Sequence, residues 1–576
     1  MPNPVAQLRS RLQSAIEGVL GSEYAGSDPV LRRSTQPGFG DFQANAAMAL
    51  GKRAGRQPRE LAQQIVDALD GDDLIAKVEV AGPGFINIWL SDDALGVAAR
   101  SLLGDPDRLG VDPAEAPETV VIDYSSPNLA KEMHIGHLRS TIIGDSIARV
   151  LTFLGHTVIR QNHVGDWGTQ FGMLVEHMLE IGAAADSANA SLADLNAFYR
   201  EANDRFKNDA AFADRARERV VKLQSGDEET LELWRTFVSV SLGHARDTYD
   251  RLGVLLTDDD IHGESAYNDM LDDVAHEIEA VGVAAVDDGA LVVFTEKYDA
   301  PLLVRKQDGG YGYGTTDLAG VRYRVGNLGA TWLIYVVGSP QTQHLDQVFM
   351  TVSRAGWLQP PARAVHVSFG SVLGPDRKMY KTRTGENIKL NELLDEAVAR
   401  ATAKVRDANP DLPSDDIDRL GRAIGIGAVK YADLSNDRIK DYVFDWDRML
   451  AFEGNTGPYL QYAHARIRSI FRRAEDVTVD DSTPIVLADA AERALVLELL
   501  GFGDAVHSVA EHLQPHRLCT YLFDLAQSFT AFYESCPVLR APDEATRSSR
   551  LALCEVTART LARGLDLLGI EAPERM

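Results

Sequence analysis

Cysteine is scarce. Cys519, Cys536 and Cys554 are the whole complement of 576 residues, all near the C-terminus, with no Cys-x-x-Cys pair. So sparse and odd a set argues against a disulfide framework and a structural zinc site. No run of about 18 uncharged apolar residues occurs, so no membrane-spanning helix is expected. The opening MPNPVAQLRSRLQ lacks an apolar signal core, which predicts a cytoplasmic protein without a membrane partner. Internal repeats, low-complexity tracts and a G-x-x-x-x-G-K-[ST] phosphate loop are also missing. Positive charge is in deficit: 58 Lys+Arg stand against 85 Asp+Glu, a net charge of −27. Taken alone, that balance disfavours a polyanionic partner, so any RNA-binding role must rest on local basic surface.

What is present is ordinary globular material, 45% hydrophobic and 25% charged. At roughly 150 residues per domain, the length predicts three or four domains. Residues 1–110 open on a helical repeat (Val5, Leu8, Leu12, Ile16) and close on the strand-like KVEVAGPGFINIWL and the turn DPDRLGVDP. They read as an N-terminal α+β domain. A strand is expected at 119–126. A helix follows over 138–154, where Leu138, Ile142, Ile143, Ile147, Val150, Leu151 and Leu154 recur at helical spacing before Gly155. The next strand is HTVIRQNHV. Strand, helix and strand in this order start a doubly wound parallel sheet. The alternation resumes with TWLIYVV at 331–337, a helix through Val348 and Val352, and RAVHVSF at 363–369. An insertion at about 173–285 separates the two halves. Beyond about 385 helical periodicity dominates to the end.

The chemistry concentrates at the first strand–helix junction, SSPNLAKEMHIGHLRST. A helix N-terminus there offers free N–H groups and partial positive charge to a phosphate. His134 and His137 fall on one face of the first turn, Gly136 allows a ligand near the backbone, and Lys131 adds a cation. A bare His-x-x-His is more commonly surface polarity or part of a metal site, and its place at this junction is what favours a nucleotide. A second cluster, GSVLGPDRKMYKTRTGENIKL, crowds Lys378, Lys381 and Arg383 into one loop. Such a run is commonly a solvated basic loop. Beside the histidine junction it suits the second jaw of a phosphate clamp.

These residues carry a family resemblance. His134-Ile135-Gly136-His137 matches the HIGH signature of class I aminoacyl-tRNA synthetases, and Lys378-Met379-Tyr380-Lys381 resembles their KMSKS signature with tyrosine in place of serine. SSPNLAKEMHIGHLRSTIIGD, NHVGDWGTQFGML, YGYGTTDLAG, NTGPYLQYAHARIRS and the terminal APERM resemble the arginine-specific branch. The resemblance covers nearly the whole chain and is weakest at about 183–255. It implies a multidomain α/β plus α protein. A Rossmann-like doubly wound parallel-sheet catalytic domain (111–385) would follow the N-terminal α+β domain, which contacts the tRNA corner. A helical region (386–576) would hold an all-α anticodon-binding bundle from about 450.

The resemblance further implies ATP against His134, Gly136, His137, Val372, Lys378 and Lys381, with His134, His137, Lys131 and Lys381 serving catalysis. Mg²⁺ would accompany ATP, with no dedicated protein metal site. Arginine would be held by Asp123, Asn128, Glu264, Tyr313, Asp317 and Gln341. Carboxylates suit a planar guanidinium, and a site built for it rejects lysine by leaving acceptors unpaired. Tyr313 precedes Asp317 by four residues and shares its face if a helix starts there. tRNA(Arg) would meet Phe42, Gln43 and Asn45 at one end, and Tyr459, Tyr462, Arg466, Arg468, Tyr533 and Met576 at the other. Phe42 as a core residue is an equal reading, and tyrosines in a bundle are more often packed than stacked on RNA. A monomer is expected, with no DNA partner. Three other readings differ in chemistry: a stand-alone adenylating enzyme, a non-catalytic tRNA-binding paralogue, and a zinc hydrolase lacking an identifiable third ligand.

Overall fold

The computed structural model describes residues 4–34, 37–69, 73–129, 131–181, 195–380, 388–474 and 479–576. The N-terminal region runs α1 (Pro4–Leu20), β1 (Leu31–Arg33), β2 (Phe42–Ala44), α2 (Ala46–Ala54), α3 (Pro58–Asp67), β3 (Ile75–Ala81), β4 (Phe85–Leu90) and α4 (Asp92–Leu103). Its antiparallel sheet has the order β1-β2-β4-β3. The periodic Leu8, Leu12 and Ile16 of α1 are buried with Ile86, Ile88 and Leu90 of β4, as an amphipathic helix on a half-covered sheet requires.

A parallel sheet follows: β5 (Thr119–Asp123), α5 (Ile135–Phe153) and β6 (Thr157–Gln161), then β10 (Trp332–Tyr335), α12 (Thr342–Arg354) and β11 (Arg363–His366). The four strands are parallel in the order β11-β10-β5-β6. The chain therefore reverses its direction of growth between β5 and β10, and a crevice opens at the carboxyl ends of those strands. Helix α5 is buried on nearly every side, which is why its hydrophobic pattern is broad rather than a single stripe.

Between β6 and β10 lie α6 (Thr169–Glu180), α7 (Leu195–Asn208), α8 (Ala210–Gln224), α9 (Glu228–Leu252), α10 (Leu271–Ala280), β7 (Ala285–Asp287), β8 (Ala290–Thr295), β9 (Tyr298–Arg305) and α11 (Tyr313–Gly326). The interruption read as ending near 285 thus continues through a three-stranded antiparallel sheet, β7-β8-β9. After β11 come β12 (Val372–Leu373), α13 (Leu390–Ala408), α14 (Ser414–Leu434), β13 (Tyr442–Val443) and α15 (Trp446–Met449). The bundle α16 (Gly457–Ala474), α17 (Ala490–Leu499), α18 (Phe502–His512), α19 (His516–Ser535) and α20 (Glu544–Leu567) completes the chain. The short β13 pairs in parallel with β12, so strand structure does not end at 385. All three cysteines are buried and unbridged.

Candidate active site

The junction after β5 is strained. Ser125 (φ 70°) and Ser126 (φ 45°) both occupy the left-handed region, which side chains other than glycine rarely adopt. Five groups hold them, one being Thr141, whose Oγ1 lies 2.9 Å from Ser125 Oγ. Ser125 N–H donates to Ser140 Oγ (2.9 Å), and Ser126 N–H to Asn162 Oδ1 (3.0 Å). Ser126 Oγ donates to Asp123 (2.7 Å), and Ser125 Oγ lies 2.8 Å from the Tyr249 hydroxyl. The turn carries the chain to the start of α5 with Asn128 exposed and paired by backbone to Gly165.

His134 is the N-cap of α5. Its Nδ1 accepts from Gly136 N–H (3.0 Å), and its own N–H donates to His137 Nδ1 (3.0 Å). This is a reciprocal capping box made of two imidazoles. With Nδ1 of each ring accepting a backbone N–H, the neutral rings carry their protons on Nε2. Both rings therefore present N–H donors at a helix N-terminus, their centroids 4.1 Å apart. Burial, reinforced by Lys131, lowers the His134 pKa. Burial and the neighbouring His134 push His137 down to about 3. Gly136 has a reason the sequence does not show: a Cβ there would lie 2.7 Å from the His134 ring. The space is needed by the cap, before any ligand.

The second cluster reaches the same place. Ile135 N–H donates to Ile388 O (3.1 Å), and Leu390 N–H to Met133 O (3.0 Å). Glu132 pairs with Lys389 at 3.1 Å. The segment leaving the basic loop is thus stitched to the residues that open α5. Val372 is buried, and its carbonyl accepts from Tyr380 N–H (3.1 Å). Tyr380, where the signature has serine, stacks on Phe444 at 5.0 Å. Lys378 is exposed on the turn; Lys381 and Arg383 lie outside the described residues. Lys131 is exposed, with Nζ 4.2 Å from the Tyr199 ring of α7.

The carboxylates converge on the crevice. Asp123 ends β5 and is buried. Burial raises its pKa, but Arg324, His163 and Ser126 outweigh that and leave it lowered. Arg324 of α11, also buried, donates to Asp123 (2.7 Å) and Gln161 (2.6 Å). Asp317, one helical turn into α11 from Tyr313, has His344 Nε2 at 2.5 Å and His163 Nε2 at 3.7 Å. Among the described residues, no cation gives Glu264 such relief. Burial, then Asp317, then Asp166 push its pKa up to about 8. Asp166 is buried and accepts from both Ser265 N–H (2.9 Å) and Ser265 Oγ (2.6 Å), fixing the turn that carries Glu264. Tyr313, Gln341 and His344 line a cleft of about 660 Å³. Asp123, Glu264, Asp317, Tyr313 and Gln341 thus come from β5, the turn at 264, α11 and the start of α12, while Asn128 lies exposed on the loop before α5. His163, His344, Asp166 and Arg324 join this group without having been expected; the first and third lie inside the NHVGDWG block.

Three family models match the chain: "Arginyl tRNA synthetase N terminal domain" over 6–90, "tRNA synthetases class I (R), catalytic domain" over 101–446, and "DALR anticodon binding domain" over 460–576. The arginine–tRNA ligase of Thermobifida fusca (strain YX) is 54% identical over 100% of both chains. The chain belongs to the arginyl-tRNA synthetase family. A crystal structure of arginyl-tRNA synthetase from Plasmodium falciparum superposes with a TM-score of 0.85, at 30% identity over 100% of both chains. The Thermus thermophilus arginyl-tRNA synthetase gives 0.82 at 28% identity, over 99% of this chain and 100% of that one.

Within this arginyl-tRNA synthetase fold, the residues expected to meet RNA divide by exposure. Phe42 is 6% exposed, its ring in the N-terminal core, so the stacking role gives way to the packing one: the inward face of a paired strand holds it from RNA. Gln43 donates to Asn87 (2.9 Å), and Asn45 caps α2 by position without a side-chain bond. Tyr462 is 44% exposed. Tyr459 packs edge-on against Phe523, and Tyr533 lies between Phe529 and the Arg466 guanidinium. Arg468 is held by Glu555 (2.7 Å) and Glu574 (3.5 Å), so it is neutralised within the protein. Met576 packs half-buried against the main core.

Proposed function

We propose that this chain joins L-arginine to tRNA(Arg) for protein synthesis in two steps, first forming arginyl-adenylate from ATP and then transferring arginine to the 2′-OH of the terminal adenosine. Glu264 carries the substrate assignment. A carboxyl raised to about 8 by burial and two neighbouring carboxylates marks a site short of one positive charge. A guanidinium supplies it permanently and in the plane that carboxylates accept.

The arginine carboxylate is ionised already, so its activation needs no general base. It attacks the α-phosphorus of ATP in line and pyrophosphate leaves. The Nε2–H groups of His134 and His137 and the α5 N-terminus stabilise charge that develops on the phosphates. Neutral imidazoles suit this work, because they donate without losing a proton at physiological pH. Lys131, Lys378 and Lys381 supply mobile positive charge, ATP enters as its Mg²⁺ complex, and Gly136 and Val372 border the nucleotide. Asp123 and Asn128 hold the α-amino and carboxylate end; Glu264, Asp317, Tyr313 and Gln341 hold the guanidinium. tRNA is required for the first step. Residues 1–110 meet the tRNA corner through Gln43 and Asn45. The helical region 386–576 follows the catalytic domain of 111–385, and its bundle from about 450 meets the anticodon through Tyr462 and Arg466, with Tyr459, Tyr533 and Met576 shaping that surface. The enzyme acts as a cytoplasmic monomer.

Steady-state kinetics of Asp317→Asn test the assignment. Removing one acceptor of a charge-assisted pair should raise KM for arginine far more than KM for ATP, by about tenfold or more. Equal losses for both substrates would contradict it.

A further inference from the structure

Lys430 of α14 is fully buried, where lysine is almost never found without partners. Its Nζ donates to two backbone carbonyls, Leu252 at the end of α9 (2.8 Å) and Gly569 just beyond α20. Asp145 of α5 lies alongside. Asp145 accepts from Leu255 N–H (2.6 Å) and from Arg149 (2.8 Å), and Arg149 donates to Gly253 O (2.8 Å). Gly569 has φ +66°, and a Cβ there would lie 2.6 Å from Nζ, 3.1 Å from Asp145 and 3.2 Å from Arg149. Helices α5, α9 and α14 and the C-terminal tail therefore meet at one ammonium.

Each of these leads to a working part of the molecule. Helix α5 begins at the two histidines. Helix α9 supports the strained junction, where Tyr249 meets Ser125 and Asn162, and the arginine pocket, where Trp234 donates to Asp166 O (2.6 Å). The tail is gripped by α16: Gln461 donates to Glu571 O (2.8 Å), and His464 lies 3.0 Å from Pro573 O. The same helix carries Tyr462 and Arg466. One turn from Lys430, Asp433 pairs with Arg139 of α5 at 3.1 Å, so an ion pair ties α5 to α14 beside the ammonium.

Apolar side chains would join these helices at lower desolvation cost; buried charges instead specify one relative placement. We propose that Lys430 is a positioning residue through which tRNA seated on the C-terminal bundle sets the placement of α5 and α9 at the active site. The inference rests on the function proposed above. If the tail shifts, the Gly569 carbonyl leaves Nζ, and a buried ammonium short of an acceptor is costly. A displacement of the tail would therefore be felt at the Leu252 carbonyl of α9 and beside Asp145 of α5.

The test uses full-length enzyme, Lys430→Met and Gly569→Ala. Methionine keeps the apolar stem without donors. Alanine leaves Lys430 in place and presses a methyl on the junction from the tail side. Three quantities are read: arginine-dependent ATP–pyrophosphate exchange with and without tRNA(Arg), tRNA binding by filter retention, and thermal melting. Both variants should lose about tenfold or more of the tRNA-stimulated rate while binding tRNA within about twofold of the parent. If the tRNA-stimulated rate and arginine KM of the folded variants stay within about twofold while only the melting temperature falls, Lys430 is merely structural and the proposal fails. If Lys430→Met is insoluble, Gly569→Ala decides by the same criterion; insolubility of both assigns the junction to folding and also overturns the proposal. A parent enzyme without arginine-dependent exchange would defeat the underlying function instead.

Discussion

Burial, with Asp317 and Asp166 beside it, pushes the Glu264 carboxyl up to about 8, and the sign of its linkage follows. Its folded pKa lies above the ordinary carboxylate value, so between about 4.5 and 8 the native state binds more protons than the unfolded one, and its contribution to stability falls as pH rises through that window. A guanidinium favours the ionised carboxylate, so arginine binding at pH 7 should release a proton, and arginine affinity should improve as pH approaches 8. Titration calorimetry in two buffers of different ionisation enthalpy reads this directly; identical heats would refute it. The proposed mechanism also assigns charge stabilisation to Lys381. Lys381→Ala should slow adenylate formation by at least about tenfold, or about 1.4 kcal/mol in the barrier. A near-normal single-turnover rate would transfer that role to Lys131.

Among the elements, α5 joins its cap to the role proposed for the two histidines. Gly136→Ala should push the His134 ring from its place, losing a cap worth about 1 kcal/mol. Single-turnover adenylate formation should slow about tenfold while arginine KM holds, because the donors are lost but the pocket is not. A variant with normal rates would show that the Nε2–H groups are not aimed by the cap. Much of this element was legible in the sequence. The apolar spacing over 138–154 gave α5, and the placement of His-x-x-His after a strand marked its working end. Tyr313 and Asp317 likewise fall on one helical turn, as their spacing implied if a helix began there. The partners were not legible. Arg324 meets Asp123 from 201 residues away, and His344 meets Asp317 from 27 away; no periodicity encodes such pairings. The value of Gly136 to a neighbouring ring, and the inward side of Phe42, likewise depend on packing and strand pairing that local pattern does not fix.

At the scale of the molecule, the net charge of −27 pointed away from RNA, but a total does not say where the charge lies. Many arginines are spent within the protein. Arg33 and Arg493 tie the N-terminal domain to the bundle through Glu498 and Asp41, and Arg559 donates to Leu103 O (3.1 Å). The total is therefore a poor guide to the surface that faces a partner. Whether the whole assembly adenylates arginine, and does so under the control of tRNA, is tested most directly by ATP–pyrophosphate exchange with L-arginine, with and without total tRNA, against L-lysine and L-citrulline. Exchange with arginine alone among the three, and only when tRNA is present, is the predicted result. Exchange with citrulline equal to that with arginine would contradict the charged pocket, exchange without tRNA would indicate a stand-alone adenylating enzyme, and no exchange at all would contradict the catalytic assignment.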